Sequence, residues 1–153
     1  MSKRAGLSYE ALSYEATLLV RDHCLCLHMQ RAARAVARRF DAAFRPLNLT
    51  NGQFSLLMSL NRPSPPHMGA VASLLAMDRT TLTAALKPLE RRRLIEVKLD
   101  PKDKRGRLLS LSPEGRHLLA RALPIWHETH VAVEALLRKG APPRLRDELR
   151  ALS

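Results

Sequence analysis

Cysteine and histidine are the side chains here best suited to bind metal or to react, and their spacing limits both. Cys24 and Cys26 stand two apart, flanked by His23 and His28. On one continuous helix, residues two apart point in different directions, so a bridge between them within one chain is strained. With only these two cysteines, a disulfide framework is excluded. Helical spacing puts Cys24 and His28 on one face and leaves His127 and His130 three apart. Two ligands do not make a tetrahedral zinc site, and no CxxC or HExxH pattern is present, so no metal and no other cofactor are expected. No Ser-His-Asp set, carboxylate pair or glycine-rich phosphate loop is found either. No residue is therefore assigned a catalytic role, an enzyme is not expected, and Trp126 is read as core or pocket wall.

The remaining chemistry is cationic. Twenty-six Lys and Arg against fourteen Asp and Glu leave a net charge of +12, which favours polyanionic partners through phosphate neutralisation and counterion release. Two clusters concentrate it. Arg79, Thr80, Thr83, Ala84, Lys87 and Arg91 form the outward face of a predicted helix that Asp78 caps by accepting from the amide of Thr80 or Thr81. Lys102, Lys104, Arg105 and Arg107 crowd the loop that follows. A helix start carrying Arg79 and three threonines (Thr80, Thr81, Thr83) suits a major groove, and a cationic hairpin tip suits backbone or minor groove. Double-stranded DNA is the expected partner, although a membrane surface or a ribosome would satisfy the charge bias alone.

The elements that position these clusters follow from periodicity. A polar N-terminal arm precedes a long helix on Leu25, Met29, Ala32, Ala33, Val36, Phe40, Ala43 and Leu47, ending near Pro46. Thr50 with Gln53 makes a capping box for a second helix. Beyond the stiff segment Arg62 to Pro66, Met68, Val71, Leu74 and Leu75 give a short helix to about Met77. The helix from Asp78 buries Leu82, Ala85, Leu86 and Leu89, and Pro88 should kink or tighten it locally. Ile95, Val97 and Leu99 alternate with polar residues, as do Leu109 and Leu111, predicting two strands joined by Asp100 to Gly106. Ser112, Pro113 and Glu114 supply a cap, an N1 proline and an acidic first turn for a long helix through Trp126 to about Arg138. Leu145, Leu149 and Leu152 suggest a last short helix.

The fold class expected is mainly α with a small two-stranded β wing, a winged helix-turn-helix flanked by N- and C-terminal dimerisation helices. One domain should span 1–153, with 48–115 as the DNA-binding region and 1–47 and 116–153 as the helical dimerisation region. The apolar stripes of the flanking helices are too wide to leave in water, which implies a two-fold homodimer. The N-terminal MSKRAGLSYEALSYEA lacks a secretory apolar core, and no stretch nears the roughly 18 apolar residues of a membrane span. No membrane partner and a cytoplasmic location are expected.

The runs DRTTLT and LKPLERRRLIE, the wing DPKDKRGRLLSLSPEGR and the helix RAARAVARRFDAAFRPLNLTNGQF resemble the MarR family of bacterial transcriptional regulators, over roughly residues 20–140. The resemblance implies a dimeric winged-helix repressor on a pseudo-palindromic operator, released by a small-molecule effector such as an aromatic carboxylate. It further implies that Arg79, Thr80, Thr81 and Thr83 face the major groove or its phosphates and that Arg105 enters the adjacent minor groove, with Asp103 orienting Arg105 or a neighbouring arginine. Arg93 and Asn48 stand where the family usually has glycine; if Arg93 needs positive φ it carries about 1 kcal/mol of strain, whereas asparagine tolerates that region better. Cys26, eight before Arg34, stands where the organic-hydroperoxide-sensing branch of the family has its reactive cysteine. The tyrosines that support that thiolate are matched here by Gln30 and Phe40. Cys26 is thus either a small packed hydrophobe or a redox thiol. Arg31, Arg34, Arg38 and Arg45 share a helix face, solvated or binding an acidic effector. A thiol-based peroxide sensor and a non-specific basic nucleic-acid-binding protein are the alternative readings.

Overall fold

The computed structural model describes residues 12–103 and 105–153. Residues 1–11 of the N-terminal stretch, and Lys104 among the expected wing contacts, lie outside them. The chain divides into two compact units at the Val36–Ala37 bond.

In the first unit, the stretch expected to be a polar arm carries a helix, α1 (Tyr14–His23), capped by Ser13 through the backbone N–H of Ala16 at 3.4 Å. Its apolar residues Leu18, Leu19 and Val20 run consecutively instead of forming a stripe, and the helix buries no residue, so periodicity does not reveal it. Cys24 closes α1 in extended backbone, and α2 (Leu25–Phe44) begins one residue later. This corrects the expectation that Cys24 and Cys26 share a helix. Both thiols are free, Cys24 half-buried and Cys26 exposed.

The second unit starts within α2, whose last turns bury Phe40 and Phe44. Phe44 stacks on Phe54 of α3 (Asn51–Ser59) at 4.8 Å between centroids, and Phe54 lies 6.4 Å from Trp126, so offset aromatic contacts tie three helices into one core. A 3-10 turn (Arg45–Leu47) links α2 to α3. Thr50 and Gln53 make the full capping box: Gln53 N–H donates to Thr50 Oγ1 at 3.2 Å and Thr50 N–H to Gln53 Oε1 at 3.1 Å. Helix α4 (Met68–Leu74) stops short of the expected Met77 because Ala76 turns left-handed at φ 51°. Helix α5 (Arg79–Arg91) buries Leu82, Leu86 and Leu89 and contains Pro88.

Strands β1 (Ile95–Leu99) and β2 (Arg107–Leu111) pair antiparallel, Ile95 opposite Leu111 and Leu99 opposite Arg107. A further bridge joins His67 to Leu108, and Leu109 N–H donates to the carbonyl of Pro66 at 3.0 Å. The hairpin is thereby fastened to the entry of α4, a contact that no local pattern announces. Helix α6 (Pro113–Glu134) ends four residues before the expected Arg138, and α7 (Ala141–Arg150) follows a left-handed Gly140. Leu123, Val131, Leu136, Leu137, Leu145, Leu149 and Leu152 of these last segments stay exposed.

Candidate nucleic-acid interface

Helix α5 is fixed at both ends by hydrogen bonds that its sequence supplies. At its start Asp78 accepts the backbone N–H of Thr81 through Oδ1 at 2.7 Å and the Thr81 hydroxyl through Oδ2 at 2.8 Å. The Thr81 N–H, and then its hydroxyl, hold the Asp78 carboxyl below the usual aspartate range, since donors aimed at a carboxylate favour its charged form. At its end Arg92 donates to the carbonyl of Asn48 at 2.8 Å, anchoring the helix to the turn before α3. Arg93 then turns left-handed at φ 55°, as does Asn48 at φ 50°. The Ser112 hydroxyl donates to the carbonyl of Arg93 at 2.7 Å, and Ser112 Oγ caps α6 by accepting Gly115 N–H at 2.9 Å. A side chain at Gly115 would collide with the carbonyl of Leu94.

With one face committed to Leu82, Leu86 and Leu89, the residues Arg79, Thr80, Thr81, Thr83, Ala84, Lys87 and Arg91 are exposed. Among the described residues, Arg79, Lys87 and Arg91 form no ion pair, and neither do Lys102, Arg105 and Arg107 of the wing. Exposed cations without internal partners leave their field available to an external polyanion.

Two aspartates shape the wing loop. Asp100, 7% exposed, accepts Lys102 N–H through Oδ1 at 2.8 Å, and its Oδ2 faces His67 Nε2 at 3.5 Å. Asp103 accepts the backbone N–H of Arg105 at 2.9 Å. Both are aspartate turns closed on the residue two ahead. Asp103, expected to orient Arg105 or a neighbouring arginine, holds the backbone of Arg105. Asp100 and His67 were not singled out from sequence, although the repeated Asp-x-Lys and Asp-x-Arg spacing in DPKDKR carries the signal for the turns.

The expected redox residue lies in the first unit. Cys26 Sγ accepts from Gln30 Nε2 at 3.2 Å, and Gln30 Oε1 accepts from Arg34 at 3.1 Å. The tyrosine-matched position Phe40 belongs to the second unit and is buried. The described residues hold no group of three or more side chains able to bind a metal ion, and no helix among them is long and apolar enough to cross a membrane.

Comparison with known proteins converges on one kind of molecule. Residues 49–106 match the model of the MarR family. The chain is 34% identical to the Mycobacterium tuberculosis transcriptional regulator MosR, solved in complex with DNA, covering 84% of this chain and 92% of that one with a TM-score of 0.77. It is 28% identical to the transcriptional repressor CouR bound to a 23-mer DNA duplex, over 87% and 94% of the two chains with a TM-score of 0.77. The organic hydroperoxide resistance transcriptional regulator of Bacillus subtilis is 29% identical over 101 residues, 66% of this chain and 69% of that protein.

Proposed function

The chain belongs to the MarR family of transcriptional regulators, and we propose that it is a sequence-specific DNA-binding repressor working as a homodimer on a pseudo-palindromic operator. In this reading residues 48–115 contact DNA and the helices of 1–47 and 116–153 hold two copies together. Arg79, Thr80, Thr83 and Lys87 face the major groove, and Lys104, Arg105 and Arg107 reach backbone or minor groove from the wing. The observation that carries the reading is the exposed first turn of α5 joined through a braced turn to a hairpin whose tip cations Lys102, Arg105 and Arg107 form no ion pair among the described residues. Two relatives solved with DNA support the same use of the fold. The exposed leucines of α6 and α7 support a two-fold partner, because apolar side chains in that number are costly to leave in water.

The test is binding to a duplex selected by the protein from a randomised pool. Log affinity should fall linearly with log salt, and Arg105→Ala should weaken binding and reduce the salt slope by about 1. Equal affinity for selected and scrambled duplexes would favour the non-specific alternative.

Release by a small-molecule effector is part of the proposal. An open cleft of about 650 Å³ in the second unit offers an apolar floor of Leu47, Leu94 and Leu118, with Arg92, Arg121, His117 and the acidic Glu114 at its edges. A second trigger is supported by the exposed Cys26 and by the name of the Bacillus subtilis relative. An organic hydroperoxide would oxidise the thiolate to a sulfenic acid, itself being reduced to the alcohol. Peroxide-dependent loss of DNA binding that survives Cys26→Ser would remove this second reading.

A further inference from the structure

Hydrogen bonds within α5 sort its three threonines into different roles, an inference that rests on the DNA-binding reading and sharpens it. A threonine hydroxyl carries one proton and so donates once. The Thr81 hydroxyl donates to Asp78 Oδ2 at 2.8 Å, and the Thr83 hydroxyl to the carbonyl of Arg79 at 2.7 Å. The Thr80 hydroxyl makes no hydrogen bond among the described residues. Helical spacing also sets Thr80 opposite the buried Leu82–Leu86–Leu89 stripe, on the exposed face with Ala84, Lys87 and Arg91, whereas Thr81 and Thr83 flank that face on either side.

We propose that Thr80 is the one threonine of α5 that donates a hydrogen bond to a base edge, that Thr83 reads thymine through its methyl group, and that Thr81 is a positioning residue that fixes the helix start. The thymine assignment follows from what Thr83 has left. Its proton is committed to the helix backbone and its oxygen is turned toward the preceding turn, so the exposed end is the methyl. In the major groove the apolar group available to such a contact is the thymine C5-methyl. Thr80 keeps a rotatable donor that suits the acceptors of guanine, adenine or thymine.

The experiment measures binding of the full chain and its variants to the selected duplex, to the same duplex with each thymine replaced in turn by deoxyuridine, and to a scrambled duplex. Wild type and Thr83→Val should both prefer thymine over deoxyuridine by about fourfold at one position in each half-site, the worth of one buried methyl-sized group. Thr83→Ser keeps the hydroxyl and should lose that preference. Thr80→Val should bind the selected duplex about tenfold more weakly, the effect of leaving one hydrogen-bond partner unpaired, and Thr80→Ser should restore binding. Scrambled DNA should not distinguish these variants. Weaker binding by Thr83→Val with unchanged binding by Thr83→Ser would overturn the proposal, as would full affinity in Thr80→Val. A wild-type protein without preference for the selected duplex would overturn the DNA-recognition reading and this proposal together, and the wild-type arm alone reveals that failure.

Discussion

At the scale of single residues, Asp78 converts a negative charge into a defined helix start. Its carboxylate faces the N-terminal end of α5, where unpaired amides and the helix dipole favour an anion. The Thr81 N–H and then the Thr81 hydroxyl lower its pKa in the folded chain below the ordinary 3.8. A group depressed in this way stabilises the native state fully above its unfolded pKa and loses that contribution as pH falls through the folded value. Denaturant titrations of wild type and Asp78→Asn should therefore show wild type more stable at neutral pH, with the gap closing as the pH drops below 3.8. A gap that persists throughout the acid limb would mean that the charge is not what Asp78 contributes. Asp100 does comparable work in the wing, but it is buried, holding Lys102 N–H with one oxygen and facing His67 with the other.

Elements end in this protein by a shared device. Leu49, Met77 and Leu94 each send their N–H back to a carbonyl five residues earlier, those of Phe44, Ala72 and Leu89, around a left-handed Asn48, Ala76 or Arg93. That bond pattern usually recruits glycine. Relieving the strain at Arg93 by Arg93→Gly should raise stability by about 0.5 kcal/mol in thermal unfolding, the net of about 1 kcal/mol of left-handed strain against the extra backbone entropy of glycine. Gly115→Ala acts in the opposite sense. Its new methyl meets the Leu94 carbonyl, a rigid backbone group that also accepts Ser112 N–H at 3.1 Å. The expected loss is about 3 kcal/mol in urea unfolding, and a neutral substitution would show that α6 can slide away from the turn after α5. The caps at Thr50, Asp78 and Ser112 were legible in sequence because each depends on residues three positions ahead. The bond from Arg92 to Asn48, spanning 44 residues, and the bridge from His67 to Leu108 were not, because chain folding alone brings those partners together. Helix α1 escaped for another reason: it buries nothing, so it has no apolar stripe to read. Within the site, sequence placed the exposed face of α5 and the extent of the wing, but which threonine keeps a free donor is set by rotamers and could not be read.

For the whole molecule, a net charge of +12 draws the chain to any duplex, and specificity then depends on geometry, since phosphate contacts orient a protein without reading sequence. Two copies held by the exposed leucines of α6 and α7 would bring two α5 helices to one face of DNA. A charge placed there should separate them: Leu149→Glu, at a position 42% exposed in the single chain, should shift sedimentation toward the monomer and weaken binding to a two-half-site duplex far more than to one half-site. Unchanged sedimentation would move the dimer contact elsewhere. The central claim, that α5 and the wing read DNA as a symmetric pair, is met most directly by hydroxyl-radical footprinting on a selected duplex. A symmetric pair should give two protected half-sites about 34–36 Å apart along the axis, each flanked by minor-groove protection from a wing. Uniform protection of any duplex at matching salt, or one protected half-site alone, would contradict it.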